Sequence, residues 1–117
     1  MSGETKRIDP INRKEVLERI GGDEAFLKEL LEIYDEEFNT KYQELEKAIQ
    51  EKNFQNIREA GHYLKGASAN LSLPGLREAS WKMEQAGQDQ DLEAARQALL
   101  SLKQAYQRLR EYLGSEA

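Results

Sequence analysis

Ala60-Gly61-His62-Tyr63-Leu64-Lys65-Gly66-Ala67-Ser68-Ala69-Asn70-Leu71 reads as the C-terminal half of a two-faced helix. Leu64 and Leu71 mark its buried stripe, and Ile57, Gly61 and Ser68 continue that stripe at spacings of three and four. At about 100° per residue, His62 points about 160° away from Leu64 and faces solvent. Gly66 and Ala69 follow on the same outer face, one and two turns further on. His62 is the only histidine of the chain. A titratable imidazole thus stands on an open helix face beside nearly bare backbone. Glycine inside a helix costs about 1 kcal/mol relative to alanine. Gly66 therefore breaks a local preference, and such breaks tend to fall at functional positions.

Outward from this stretch the chain reads as helix throughout. Asn53 is placed to cap the histidine helix, which ends near Leu71. A long helix before it runs from a cap at Asp23 to about Glu51, with the stripe Leu27, Leu30, Leu31, Tyr34, Phe38, Tyr42, Leu45, Ala48 and Ile49. A short helix opens the chain, from Asn12 or Arg13 to Ile20, stopped by Gly21-Gly22. After Ser72 or Leu73, Pro74 starts a fourth helix that buries Leu76, Ala79, Ser80 and Met83 and stops at Gly87. Asp89 or Asp91 starts the last, with the stripe Leu92, Ala95, Leu99, Leu102, Tyr106, Leu109 and Leu113. Connections of a few residues force consecutive helices to run antiparallel. The expected fold is all-α: an up-down-up-down four-helix bundle over residues 8–113, with the short N-terminal helix as a lid. Residues 1–7 and 114–117 are expected to fray.

Composition narrows the function classes. The 117 residues suffice for one small domain with a single core. Asp and Glu number 22 against 17 Lys and Arg, a net charge of −5, with no basic run or stripe. Nucleic acid is therefore not an expected partner. No cysteine occurs, so disulfides and thiolate metal sites are excluded. A lone histidine without clustered carboxylates makes no metal site either. Met1 to Arg7 is polar with no apolar run behind it, so neither signal peptide nor transmembrane segment is expected. A monomeric cytoplasmic protein is the expectation. Catalytic-triad spacing and a phosphate-cradling glycine loop are both missing, so kinase activity of its own is not expected.

His62-Tyr63-Leu64-Lys65-Gly66, followed by Ser68, Asn70 and Leu71, closely resembles the signature of bacterial histidine phosphotransfer (HPt) domains. Members of that family carry a phosphoryl group on a histidine between aspartates of response-regulator receiver domains. The resemblance spans roughly Ile8 to Leu113. Leu17 to Asp23 is similar to the family's approach to its first long helix, and Leu76, Ala79, Ser80, Met83 and Glu84 fit the helix after the histidine. Two departures are small: Gly61 stands where alanine is common, and Ser72 where glycine is common.

The resemblance implies that His62 is the phosphoacceptor in a multistep His–Asp relay, with a receiver domain or hybrid sensor kinase as partner. Imidazole suits this chemistry, since it titrates near pH 6.5 and its neutral nitrogen is a nucleophile near neutral pH. Phosphoryl transfer is mostly positioning and charge neutralisation. The chain itself is expected to bind no cofactor; the receiver would bring the acidic site and its Mg²⁺. Lys65, about 5–6 Å from His62 by helical spacing, is expected to offset charge on the transferred group. Gly66 is expected to clear the approach. Asn70 lies off the exposed face and suits helix-end hydrogen bonding.

Levels in antiparallel hairpins suggest where the partner sits. With a turn near Lys52, His62 is level with about Tyr42; with a turn near Leu73, Lys65 is level with about Trp81. A receiver-binding rim is expected from Phe38, Lys41 and Tyr42 on one side, Ala69 on the histidine helix and Trp81 on the other side. The rival expectation is a helical docking or inhibitory module whose histidine is never phosphorylated.

Overall fold

A computed structural model describes residues 9–115 of the chain. They form five helices in the order α1 (Arg13–Arg19), α2 (Glu24–Gln50), α3 (Phe54–Asn70), α4 (Pro74–Gln88) and α5 (Leu92–Ser115). The four long helices close a ring, each packing on the next and α5 returning to α2. Their inward stripes bury Leu27, Tyr34, Phe38 and Leu45 of α2, Ile57 and Leu64 of α3, Leu76 and Met83 of α4, and Leu102 and Leu109 of α5. The expected four-helix bundle with a short extra helix is the observed architecture. The expectations for residues 1–8 and for 116–117 lie outside the described residues, and α5 continues through Gly114 and Ser115 beyond Leu113.

Side-chain caps start the helices where the sequence reading placed them. Asp23 accepts from the Phe26 amide at 3.0 Å and Asn53 from the Asn56 amide at 3.1 Å. Of the two candidates before α5, Asp91 is the cap, accepting from the Ala94 amide at 3.0 Å. Each helix-to-helix corner then repeats one geometry. Lys52, Ser72 and Gln90 all take left-handed backbone, with φ of 57°, 57° and 53°. The amide after each reaches back to close the preceding helix: Asn53 to the Ala48 carbonyl at 2.8 Å, Leu73 to Ser68 at 2.9 Å and Asp91 to Ala86 at 2.9 Å. That is the Schellman closure, which glycine usually occupies. Lys52→Gly should therefore raise stability by up to about 1 kcal/mol, because left-handed strain of about 1–2 kcal/mol exceeds glycine's added chain entropy of about 0.5–1 kcal/mol. Urea unfolding of the two proteins checks it.

Gly87 corrects one expectation. It does not stop α4 but lies inside it, buried, and the chain turns at Gln90 instead. Its place is explained by packing: a Cβ on Gly87 would fall on the backbone nitrogen and Cα of Arg58 in α3. Gly61 does the reciprocal job from α3, where a Cβ would lie 2.6 Å from the Glu84 nitrogen and 2.9 Å from its Cα. Two glycines, one from each helix, let α3 and α4 run backbone to backbone.

The short helix α1 docks on the α3–α4 corner. Ile11 and Val16 enter the core. The Asn12 amide donates to the Ser72 carbonyl at 2.8 Å, and the Ser72 hydroxyl donates to Glu15 at 2.6 Å. Arg19 donates to the carbonyls of Ala69 and Asn70, satisfying the C-terminal end of the histidine helix. The Asn70 side chain, expected off the exposed face, is itself exposed; its carbonyl is what takes part in the helix end.

Candidate functional site

Helical spacing on α3 turns His62 outward, and its side chain is 69 % exposed. Gly66 lies one turn on, with no heavy atom within 4 Å of where a Cβ would stand. The outer side of the imidazole is therefore open. The inner side is held: His62 Nδ1 lies 2.9 Å from Glu84 Oε2. Lys65 Nζ lies 2.6 Å from the other oxygen of the same carboxylate, Oε1. One carboxylate on α4 thus ties together the two candidate side chains of α3.

Glu84 reaches that position because Gly61 lets its backbone come against α3. Its side chain is only 13 % exposed. Oε1 is out of contact with solvent and makes no hydrogen bond of regular geometry, so the Lys65 ammonium balances its charge. The Lys65 ammonium at 2.6 Å holds the Glu84 carboxyl below the usual carboxylate range, partly opposed by burial and reinforced by His62. Glu84 is ionised at neutral pH and can only accept. The proton on the neutral imidazole therefore sits on Nδ1, and Nε2 presents a bare lone pair to solvent.

The structure brings His62, Lys65 and Gly66 together on one face, and it adds Glu84, to which the sequence reading gave no role. A signal for Glu84 was present. The hairpin count that levels Lys65 with Trp81 also levels His62 with Glu84, and Gly61 marks the helix face that meets it. Of the expected rim, Phe38 is corrected. It is 3 % exposed, with its ring stacked on Tyr106 at 4.1 Å, so it belongs to the core. The sequence cannot separate the two roles, because Phe38 belongs to the buried stripe of α2 and only the position of α5 decides what covers it. Tyr42 is half-buried against Phe38. Lys41 is half-buried above the Tyr63 ring, Ala69 is half-buried, and Trp81 is exposed on α4 one turn before Glu84.

Among the described residues, no group of three or more His, Cys, Asp or Glu side chains could hold a metal ion. Among them, too, no helix is long and apolar enough to cross a membrane.

Comparison with known proteins accords with this geometry. A model of the Hpt domain family matches residues 29–112, which contain all of α3 and α4. Over 51 residues, 44 % of the chain, the sequence is 35 % identical to the phosphorelay intermediate protein YPD1 of Candida albicans. That alignment covers 28 % of the YPD1 length. With most of its helical ring inside the family match and an outward histidine on the second long helix, the chain belongs to the Hpt domain family of histidine phosphotransfer domains.

Proposed function

We propose that this chain is a phosphocarrier in a multistep His–Asp relay and that His62 is its phosphoacceptor. The observation that carries the reading is the 2.9 Å contact between Nδ1 and Glu84 on an imidazole whose other edge is open. The Nε2 lone pair attacks the phosphorus of a receiver's aspartyl phosphate. The Nε2–P bond forms as the P–O bond to the aspartate breaks, and the carboxylate leaves with that electron pair. No proton has to leave Nε2, because it carries none. The ring becomes an imidazolium whose Nδ1–H already points at a carboxylate, so the developing positive charge is neutralised in place. Return of the group to a second receiver reverses these steps.

Lys65 is one helical turn from His62 and balances the negative charge gathered between Glu84 and the phosphoryl group. Gly66 leaves room for the partner's active site to close on Nε2. The receiver supplies the acidic site and its Mg²⁺, and the chain needs no cofactor and no kinase activity of its own. Lys41, Tyr42, Ala69 and Trp81 form the surrounding contact rim for a receiver or for the receiver segment of a hybrid sensor kinase. The chain works as a cytoplasmic monomer without nucleic acid.

Incubation with a phosphorylated receiver tests the reading: His62 should acquire acid-labile, base-stable phosphate, whereas a protein that binds the receiver and takes no label would be a docking module. Glu84 has its own test. Glu84→Ala should slow uptake by roughly tenfold or more, the usual cost of losing a group that orients an imidazole, with Glu84→Gln recovering part of the rate because its amide oxygen still accepts from Nδ1–H. Single-turnover transfer rates measure both, and equal rates in wild type and Glu84→Ala would remove Glu84 from the mechanism.

A further inference from the structure

Tyr63 follows His62 directly and is 43 % exposed, yet its ring is covered from α2. The Lys41 ammonium lies 4.7 Å from the centroid of its ring. The Glu37 carboxylate on α2 pushes the phenol of Tyr63 above its usual titration range. Lys41 in turn pairs with Glu44 at 3.3 Å, so the group above the ring is itself fixed. An exposed aromatic ring normally samples several rotamers; this one is clamped at the seam of α2 and α3.

We propose that Tyr63 is a preformed anchor that a receiver domain buries on docking over His62, and that the Lys41 ammonium over its ring sets docking affinity without entering the chemistry. The inference rests on the phosphocarrier reading of His62. A receiver that brings an aspartate to Nε2 must cover the outer face of α3. A standard interface takes about 800 Å² from each partner, a disc of about 16 Å radius. On a disc centred on His62, Tyr63, one residue away, falls near the middle. Central positions are where tyrosine anchors carry binding energy, and a ring already ordered loses less entropy on burial. A tyrosine also offers a polar hydroxyl beside an apolar ring, the two-ended character that suits it to interfaces.

The test uses the full chain and a receiver domain that phosphorylates the wild type, held in its active form with beryllofluoride. Calorimetry gives Kd, and labelling of His62 by phosphoramidate, which needs no docked protein, reports the chemistry alone. Tyr63→Ala should raise Kd by about thirtyfold or more and leave phosphoramidate labelling at the wild-type level. Tyr63→Phe, which keeps the ring, should stay close to wild type. Lys41→Ala should weaken docking more in the wild-type background than in the Tyr63→Ala background, because part of its effect acts through the ring and only its own rim contact remains without it. An unchanged Kd for Tyr63→Ala overturns the inference alone, as does a parallel fall in phosphoramidate labelling, which would make Tyr63 a support of the site. If the wild type takes phosphate from phosphoramidate but from no receiver, the relay reading falls and this inference with it.

Discussion

His62→Gln should abolish phosphate uptake from a phosphorylated receiver and leave the bundle folded. The imidazole is 69 % exposed and makes no core contact, so its replacement should change stability by no more than about 0.5 kcal/mol. Glutamine can still donate a hydrogen bond toward Glu84, which keeps the half-buried carboxylate partnered. It offers no nitrogen lone pair, since its amide nitrogen is delocalised into the carbonyl. Loss of label should therefore be complete rather than partial. Circular dichroism melts alongside transfer assays separate the two effects. A variant that still accepts label would place the phosphoacceptor elsewhere.

One substitution at two glycines of α3 should have opposite signs. At Gly61, an alanine Cβ would lie 2.6 Å from the Glu84 nitrogen and 3.1 Å from the Met83 carbonyl carbon, all main chain that cannot step aside alone. Gly61→Ala must push α4 away, and overpacking of this kind costs about 1–3 kcal/mol, occasionally more. It should also draw Glu84 back from His62 and slow transfer. At Gly66 nothing lies within 4 Å, so Gly66→Ala should add up to about 1 kcal/mol of helix stability. Urea unfolding of the two variants reads the contrast directly, and equal signs would refute the packing argument. Gly66→Leu completes the set: it should fold, yet slow transfer from a receiver by standing beside the imidazole.

Much of this protein was legible in the sequence because it depends on local rules. Stripes at three and four residues, caps at Asp23, Asn53 and either Asp89 or Asp91, and Pro74 at a helix start determine five helices and their order. Short connections between amphipathic helices leave little choice but an antiparallel bundle. The outward direction of His62, Lys65 and Gly66 follows from helical geometry alone, and their pattern carries the family resemblance. Tertiary structure decided what depends on which backbone meets which. Phe38 and Tyr42 share one stripe of α2, yet the Tyr106 ring covers the first and leaves the second partly open. Gly87 reads as a stop by composition, but the approach of Arg58 makes it a packing glycine inside α4. The contact of Glu84 with His62 exists only because Gly61 removes the side chain that would hold the two helices apart. A carboxylate 22 positions from His62 in sequence thereby comes within 2.9 Å of its ring. Periodicity tells each helix which face to bury; the depth to which two faces approach is set jointly by the small residues on both, and that distance determines whether Glu84 can reach the imidazole.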